Sequence, residues 1–410
     1  MDAIVVGGGI SGLVCANKLE AAGVNVSLFE AADAVGGRIR TDVVDGFRLD
    51  RGFQVFLTGY PEAKAMLDYE ALDLKSFEPG ALIQINGKTD RLVDPWRRPQ
   101  HLLATAMSAA GTIGDKLRVA GVRRTTSRGT IAELYESKER TTLEWLHDRG
   151  FSDSMIRSFF RPFFGGVFLD QKLETSSRLF EFLFRMFSSS EVTVPAKGME
   201  EIPRQLARRL AEGTIRTGTR VQKLEGQTVT LESGEQHSAD VIVMATESPF
   251  AKGQFAELAE VSSEYRSVKC LYFAASAPPF TEPILMLNGD GRGPINNLCV
   301  PTLVSGAYST SGESLVSVTC LDGESTLNQV TEHLTEWFGA GVADWRHLKT
   351  YDIPYALPVQ SPPGLSPVEK SPRVRPGAYA CGDYFDTASI NGAMASGRRC
   401  AEAILADAKG

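Results

Sequence analysis

The chain has 410 residues, 43% hydrophobic and 23% charged, with a net charge of -7. That length is too great for one simple core and sets two domains as the expectation, and the acidic balance argues against nucleic acid as the main partner. Six scattered cysteines, at 15, 270, 299, 320, 381 and 400, include no C-x-x-C pair, so neither a metal site nor a disulfide framework is expected.

The first stretch, Ala3-Ile-Val-Val-Gly-Gly-Gly-Ile-Ser-Gly12, reads as a buried strand running into a glycine turn. Leu13 to Ala22 has helical spacing, Gly23 closes that helix, and Val24 to Phe29 is the next strand. Gly7, Gly9 and Gly12 fit the G-x-G-x-x-G fingerprint: the first for a tight turn, the second for close approach of backbone to a pyrophosphate, the third for helix-strand packing. Ile10 and Ser11 open the helix, whose free N–H groups and positive dipole end suit that anion. Glu30 follows eighteen residues beyond Gly12, where a carboxylate can accept both hydroxyls of an adenosine ribose. Strand, turn, helix, strand and acid in register indicate a dinucleotide site. These residues leave NAD and FAD both open.

Ala31-Ala-Asp-Ala-Val then leads to Gly36-Gly37-Arg38. Gly37 lets backbone approach a cofactor again, and Arg38 can neutralise its pyrophosphate; a surface turn with a solvated arginine is the alternative. Here the chain resembles the flavin amine oxidase superfamily, which includes amine oxidases, protoporphyrinogen oxidases and plant-type phytoene and zeta-carotene desaturases. Their E-x(5)-GGR pattern follows the ribose acid. The resemblance implies FAD, without a covalent link, since no cysteine or histidine sits in a stretch similar to an attachment motif. It also implies an α/β fold: a Rossmann-type FAD-binding domain of three layers, with a mainly parallel sheet and an inserted α+β substrate domain. The run Gly46 to Glu62 continues the likeness and is most similar to the desaturase stretch in which a glycine, here Gly52 followed by Phe53, passes close to the flavin.

From Trp96 to Arg128 apolar and basic residues alternate, with Leu102, Leu103, Met107, Leu117, Val119 and Val122 among Arg97, Arg98, Lys116, Arg118, Arg123, Arg124 and Arg128. Such a stretch either lies against anionic lipid or is an ordinary amphipathic helix pair covering a core. Phe159-Phe160-Arg-Pro-Phe163-Phe164-Gly-Gly-Val-Phe168, with Phe180, Phe182, Phe184 and Phe187 on a following helix, is expected to line an apolar substrate cavity at least in part, core packing being the alternative.

A helix ending near Ala211 and strands at Val221 to Leu224, Thr228 to Leu231 and Asp240 to Thr246 resemble the superfamily's return to its FAD domain. The resemblance gives Val221 to the adenine and Ala245 to the pyrophosphate. A second excursion, about 252 to 370, is strand-rich at Val268 to Phe273, Ile284 to Leu287 and Ser314 to Cys320. Within it Lys269 is the candidate catalytic residue: in amine oxidases a lysine on a comparable strand holds a water beside flavin N5, although on an alternating strand this one can equally face solvent.

The closing stretch, Gly382-Asp383-Tyr384 followed by Ser389-Ile390-Asn391-Gly392-Ala393, resembles the superfamily's second FAD signature, in a form closest to plant-type carotenoid desaturases. It assigns Gly382, Asp383, Ser389, Ile390, Asn391 and Ala393 to the cofactor. The expected domains are a discontinuous FAD-binding domain of 1–75, 191–251 and 371–410, and a substrate domain of 76–190 and 252–370.

The function implied is an FAD-dependent oxidoreductase that passes hydride from a largely apolar substrate to flavin N5, with oxygen or quinone reoxidising the flavin. Two departures keep an amine oxidase, giving imine and hydrogen peroxide, as an alternative and qualify it. Plant-type desaturases usually lack the lysine at 269, whereas amine oxidases usually carry an aromatic where Ser389 stands. A non-catalytic FAD scaffold or apolar-ligand carrier is the third reading. No run of eighteen apolar residues occurs, and Met1 leads almost directly into the first strand; a cytoplasmic protein, at most peripherally attached to membrane, is expected.

Overall fold

The structure, a computed structural model, describes residues 1–409. Two sheets position everything else. The first has six strands in the order Ile215–Arg216, Asn25–Phe29, Asp2–Val6, Val241–Met244, Ala378–Ala380 and Arg373–Arg375. All neighbours are parallel except the final hairpin. Asp2–Val6 and Val241–Met244 lie at its centre as nearly unbroken apolar runs because both faces are covered. The period of two sorts their side chains: Ala3 and Val5 pack under the helices Ile10–Ala21 and Ile390–Asp407, while Ile4 and Val6 pack with Val221, Leu224, Val229 and Leu231 of a three-stranded antiparallel sheet. Helices, parallel sheet and antiparallel sheet make the three layers that the resemblance implied.

The second sheet has seven strands in the order Arg346–Pro358, Tyr265–Ala275, Ser314–Cys320, Ile295–Cys299, Leu285–Asn288, Gly80–Ile85 and Lys88–Val93. Its pairs are antiparallel except Leu285–Asn288 with Gly80–Ile85. Three of these strands match apolar runs in the sequence. Arg346–Pro358 does not: this edge strand mixes Arg346, His347, Lys349 and Asp352 with Leu348, Tyr351, Ile353 and Leu357, which pack on the core, and its charges are a usual protection of an exposed edge.

Helices fill the space between Trp96 and Ser189. Phe159 to Phe168 forms one turn of π-helix, Ile156–Phe160, continuing into Arg161–Phe168. Ser177–Ser189 lies against it. The expectation that these phenylalanines line a cavity is corrected here. Phe160, Phe164, Phe168, Phe180 and Phe182 are fully buried, and they pack edge to face and in offset stacks on one another, as in Phe164–Phe180 with centroids 4.7 Å apart. Helical spacing turns each of them into one shared core, and rings this large gain most by mutual burial.

The helix Ile113–Thr126 is anchored by a buried carboxylate. Asp115 accepts hydrogen bonds from Thr112 N–H at 2.7 Å, Ser152 N–H at 2.9 Å and Ser152 Oγ at 2.7 Å, so it closes a capping box and ties the helix to Ser152, the cap of the short helix Asp153–Met155. Burial disfavours the charge on Asp115, but the Ser152 and Thr112 donors outweigh it and bring the pKa down to about 2. A carboxylate with a depressed native pKa stabilises the fold above its ordinary pKa and loses that contribution as pH falls through the native value. Asp115→Asn should therefore cost about 2 kcal/mol at neutral pH, a difference that shrinks between about pH 4 and pH 2. Urea unfolding of the two proteins across that range measures it.

Candidate functional site

The glycine turn lies where the first strand of the parallel sheet ends. Gly7 has φ +107°, and a Cβ there would come 2.7 Å from Ala245 O; a Cβ on Gly12 would come 2.0 Å from Gly7 O. Both positions are closed to any side chain. Gly9 differs, with nothing within 4 Å of the place a Cβ would take, so its backbone faces open space. The first bond of the helix runs from Leu13 N–H to Gly9 O. The N–H groups of Ile10, Ser11 and Gly12 precede it and are the donors that a helix start leaves free.

Glu30 is buried beside this turn. Its Oε2 accepts from Gly8 N–H and its Oε1 from Ala32 N–H, each at 2.7 Å. The carboxylate thus braces the turn and keeps further lone pairs for a ligand. Gly37, at φ +57°, comes close to Gly9, which brings the second glycine turn against the first. Arg38 reaches across 345 residues of sequence, its Nη2 donating to Asp383 Oδ1 at 2.7 Å and its Nη1 to Ala356 O at 3.0 Å. Desolvation opposes the charge on Arg38, and the Asp383 carboxylate more than restores it, holding its pKa above the ordinary value.

The C-terminal signature closes the other side. Gly382 N–H donates to Ser396 Oγ at 3.1 Å. Ser389 caps the helix Ile390–Asp407, its Oγ accepting from Gly392 N–H at 3.0 Å, and Ile390 and Ala393 are half-buried on the first turn. Asn391 Oδ1 accepts from Glu62 N–H at 3.2 Å, and Arg398 forms a two-pronged pair with Glu62. Tyr60-Pro61-Glu62 and the C-terminal helix, distant in sequence, therefore form one wall. Gln360 supports it from below, donating to Asp386 O at 2.7 Å and accepting from Ala388 N–H at 2.8 Å. Val221 is buried at the head of its strand, and Ala245 N–H donates to Val6 O. Gly7, Gly9, Ile10, Ser11, Gly12, Glu30, Gly37, Arg38, Ala245, Gly382 and Asp383 thus surround one end of the parallel sheet.

Beside the Gly52 bend lies a narrow crevice of about 10 Å³, room for about one water molecule, lined by Asp50, Phe53, Gln54, Phe77, Val194, Tyr272, Cys299, Pro301 and Tyr308. Gly52, at φ +89°, makes the bend that presents Phe53 to it. Asp50 is a functional candidate that the motif reading passed over. Its Oδ1 accepts from Thr41 Oγ1 at 2.5 Å and Met199 N–H at 2.9 Å, its Oδ2 accepts from Tyr308 Oη at 2.7 Å, and its backbone O accepts from Tyr272 Oη at 2.7 Å. Burial raises its pKa above the usual carboxylate range despite these donors. The only sequence signal was an acid next to the Arg51-Gly52 bend; Tyr272 and Tyr308 come from strands and turns far along the chain.

Lys269 does not join this group, which corrects its proposed place beside a flavin. Cys270 and Tyr272 point toward Asp50 and the glycine side, whereas Leu271 and Phe273 point to the opposite core under the helix Leu327–Phe338. Lys269 shares their parity. Its Nζ donates to Ser325 O at 2.8 Å and lies 3.4 Å from Asp352.

With this geometry in hand, the sequence profile of the family described as "Flavin containing amine oxidoreductase" matches residues 10–405. The chain belongs to that family. The glycine turn, Glu30 and Arg38 fit the dinucleotide part of the flavin cofactor that the family description names. Protoporphyrinogen oxidase 2 of Arabidopsis thaliana is 42% identical over 64 residues, 16% of this chain and 13% of that protein. Carotenoid 3,4-desaturase of Haloarcula japonica is 36% identical over 104 residues, 22% and 21% of the two chains. The chain thus matches only a short part of these curated relatives. In structure, an oxidoreductase from Methanosarcina mazei shares the fold with a TM-score of 0.73 and 17% identity over 99% of this chain and 100% of that one. No helix among the described residues is long and apolar enough to cross a membrane.

Asp50 gives a direct test of how the crevice is held. Asp50→Asn keeps an acceptor for Met199 and Thr41 and a donor for the Tyr308 oxygen, so the fold should survive with little change in melting temperature. Asp50→Ala leaves three donors facing nothing and should lower stability by about 3 kcal/mol, measured by urea unfolding.

Proposed function

We propose that this enzyme removes hydride from a largely apolar substrate, as a desaturase or a porphyrinogen-type oxidase does, using non-covalent FAD. One observation carries the reading: the only carboxylate lining the crevice, Asp50, has both oxygens engaged by Thr41, Met199 and Tyr308. Burial disfavours the charge on that carboxylate, so a substrate ammonium beside it would be poorly paired, and desolvating it would be costly. The rest of the lining is mainly apolar, with Phe53, Phe77, Val194, Pro301 and the rings of Tyr272 and Tyr308. Ser389 points the same way. Its hydroxyl serves as a helix cap, and no aromatic ring stands there to face an amine.

FAD, when bound, supplies the hydride acceptor, N5 of its ring. The chain's part is to hold and to exclude. The Ile10 to Gly12 N–H groups and Arg38 would hold the pyrophosphate, Glu30 the ribose hydroxyls, and Val221 and Ala245 would lie along the adenosine half. Gly52, Phe53 and the Ser389 to Ala393 helix start would border the flavin ring, and the positive end of that helix favours the charge of the reduced form. The aromatic lining orients a C–H bond and keeps water out. Cys270 and Cys299 stay protonated, burial pushing the Cys270 thiol up to about 11 and Cys299 also upward, which suits a flavin without a thioether link. Oxygen or a quinone completes the cycle by taking the electrons. A cytoplasmic location suits six cysteines that are all free and buried.

Anaerobic mixing of the FAD-loaded protein with a panel of amines, porphyrinogens and isoprenoids tests the reading through bleaching of the flavin absorbance. Isoprenoids or porphyrinogens should bleach it and simple amines should not. Rapid bleaching by amines, with peroxide released on admission of air, would replace this reading with an amine oxidase, and a flavin reduced by none of them would favour a scaffold.

A further inference from the structure

Among the described residues ten large hydrophobic side chains are exposed, and six of them, Trp96, Leu102, Leu103, Met107, Ile113 and Leu117, fall within one 22-residue segment. The other four are dispersed over residues 1, 43, 327 and 355. Leu103 and Met107 are 75% and 83% exposed on the short helix Leu102–Met107, and Ile113 and Leu117 are 68% and 70% exposed on Ile113–Thr126. Each pair is four residues apart and so shares a helix face. The two helices are clipped together by Lys116, whose Nζ donates to Ala106 O at 3.1 Å and Ser108 O at 2.8 Å. That ammonium has no carboxylate partner among the described residues. The clip joins the two helices that carry the apolar pairs through one positive charge.

Residues 96–128 carry seven lysines and arginines in a protein whose net charge is -7. Arg97 and Arg123 pair with Asp94, Arg98 with Glu78 and Arg118 with Asp115, which leaves Lys116, Arg124 and Arg128 without a carboxylate partner among the described residues. Asp115 is itself turned inward, fully buried beneath the helix. Arg124 lies seven residues beyond Leu117 on the same helix, exposed, and Arg128 follows just past the helix end. Trp96 is half-exposed beside Arg123, whose guanidinium lies 4.9 Å from the centre of its ring, an arrangement suited to the boundary between water and an apolar phase.

We propose that this helix pair docks on the surface of an anionic lipid bilayer, with Leu103, Met107, Ile113 and Leu117 entering the acyl boundary and Lys116, Arg124 and Arg128 meeting the headgroup phosphates. Charge decides among occupants. A second copy of this chain would bring two basic faces together and is repelled, while nucleic acid would leave five aliphatic side chains in contact with phosphate and water. An anionic bilayer satisfies both features at once, because apolar burial and headgroup attraction add. The proposal stands apart from the identity of the substrate, since it rests on surface residues that touch neither the glycine turn nor the crevice.

Co-sedimentation of the FAD-loaded full chain with vesicles of phosphatidylcholine, with and without phosphatidylglycerol, tests it. The wild type should sediment with the phosphatidylglycerol vesicles and much less with the neutral ones, and added salt should weaken the binding. The variant Leu103→Gln, Met107→Gln, Leu117→Gln should bind at least about tenfold more weakly, and Arg124→Gln with Arg128→Gln should reduce the preference for phosphatidylglycerol. Both should keep the flavin spectrum and melting temperature, and Leu327→Gln, at an exposed leucine elsewhere, should bind as the wild type does. Absence of sedimentation with either vesicle, or equal sedimentation of wild type and triple variant, would overturn the proposal. So would concentration-dependent dimerisation in light scattering that the triple variant abolishes, which would give the patch to a second copy.

Discussion

Three glycine contacts at one turn fix the arrangement of the whole molecule. A side chain on Gly7 would strike Ala245 O, one on Gly12 would strike Gly7 O, and one on Gly397 would come 2.3 Å from Ser11 O. Through them the first strand, the strand Val241–Met244 and the C-terminal helix approach to backbone contact, a closeness open only to residues without Cβ. Because this packing fixes the first helix, its free N–H groups point into open space beside Gly9 and not into protein. The same packing brings residues from both ends of the chain into range, so that Arg38 meets Asp383 and Glu62 meets Arg398. A turn packed this closely holds its free N–H groups in place without a ligand.

The seven-stranded sheet depends on the first through a different device. Tyr272 and Tyr308 both donate to Asp50, one to its carbonyl and one to its carboxylate, and Asp50 ends the short strand that leads into Gly52 and Phe53. The cost of burying this acid is offset by three donors to its carboxylate, from Thr41, Met199 and Tyr308, and its removal would leave those three unpaired. Position along the chain thus becomes position in space: the crevice sits where Tyr272 of the seven-stranded sheet meets the bend at Gly52 and Phe53.

Much of this was legible in the sequence because it is local. Ala3 to Glu30 carries a complete strand, turn, helix, strand and acid within thirty residues, and the short apolar, β-branched run at Ser314–Cys320 marks a strand without help from other segments. The Asp50 cluster was hidden because its parts come from four separate segments, and a single aspartate carries no sign of the tyrosines that will face it. Lys269 shows the converse error. A lysine between apolar residues suggests a buried role, but only the pairing with Cys320 and Asp352 tells which face it takes, and that face lies away from Asp50. The phenylalanines from 159 to 187 misled for a related reason, since composition reports that a stretch is apolar and does not report whether it lines a cavity or fills one.

A crystal structure of the chain with FAD bound tests the central claim most directly. The account predicts the pyrophosphate against the N–H groups of Ile10 to Gly12 and close to Arg38, the ribose at Glu30, the flavin ring between Phe53 and the start of the C-terminal helix, and Lys269 still bonded to Ser325 on the far face of its sheet. A dinucleotide seated away from the Gly7 to Gly12 turn, or the Lys269 ammonium turned to the flavin, would contradict it.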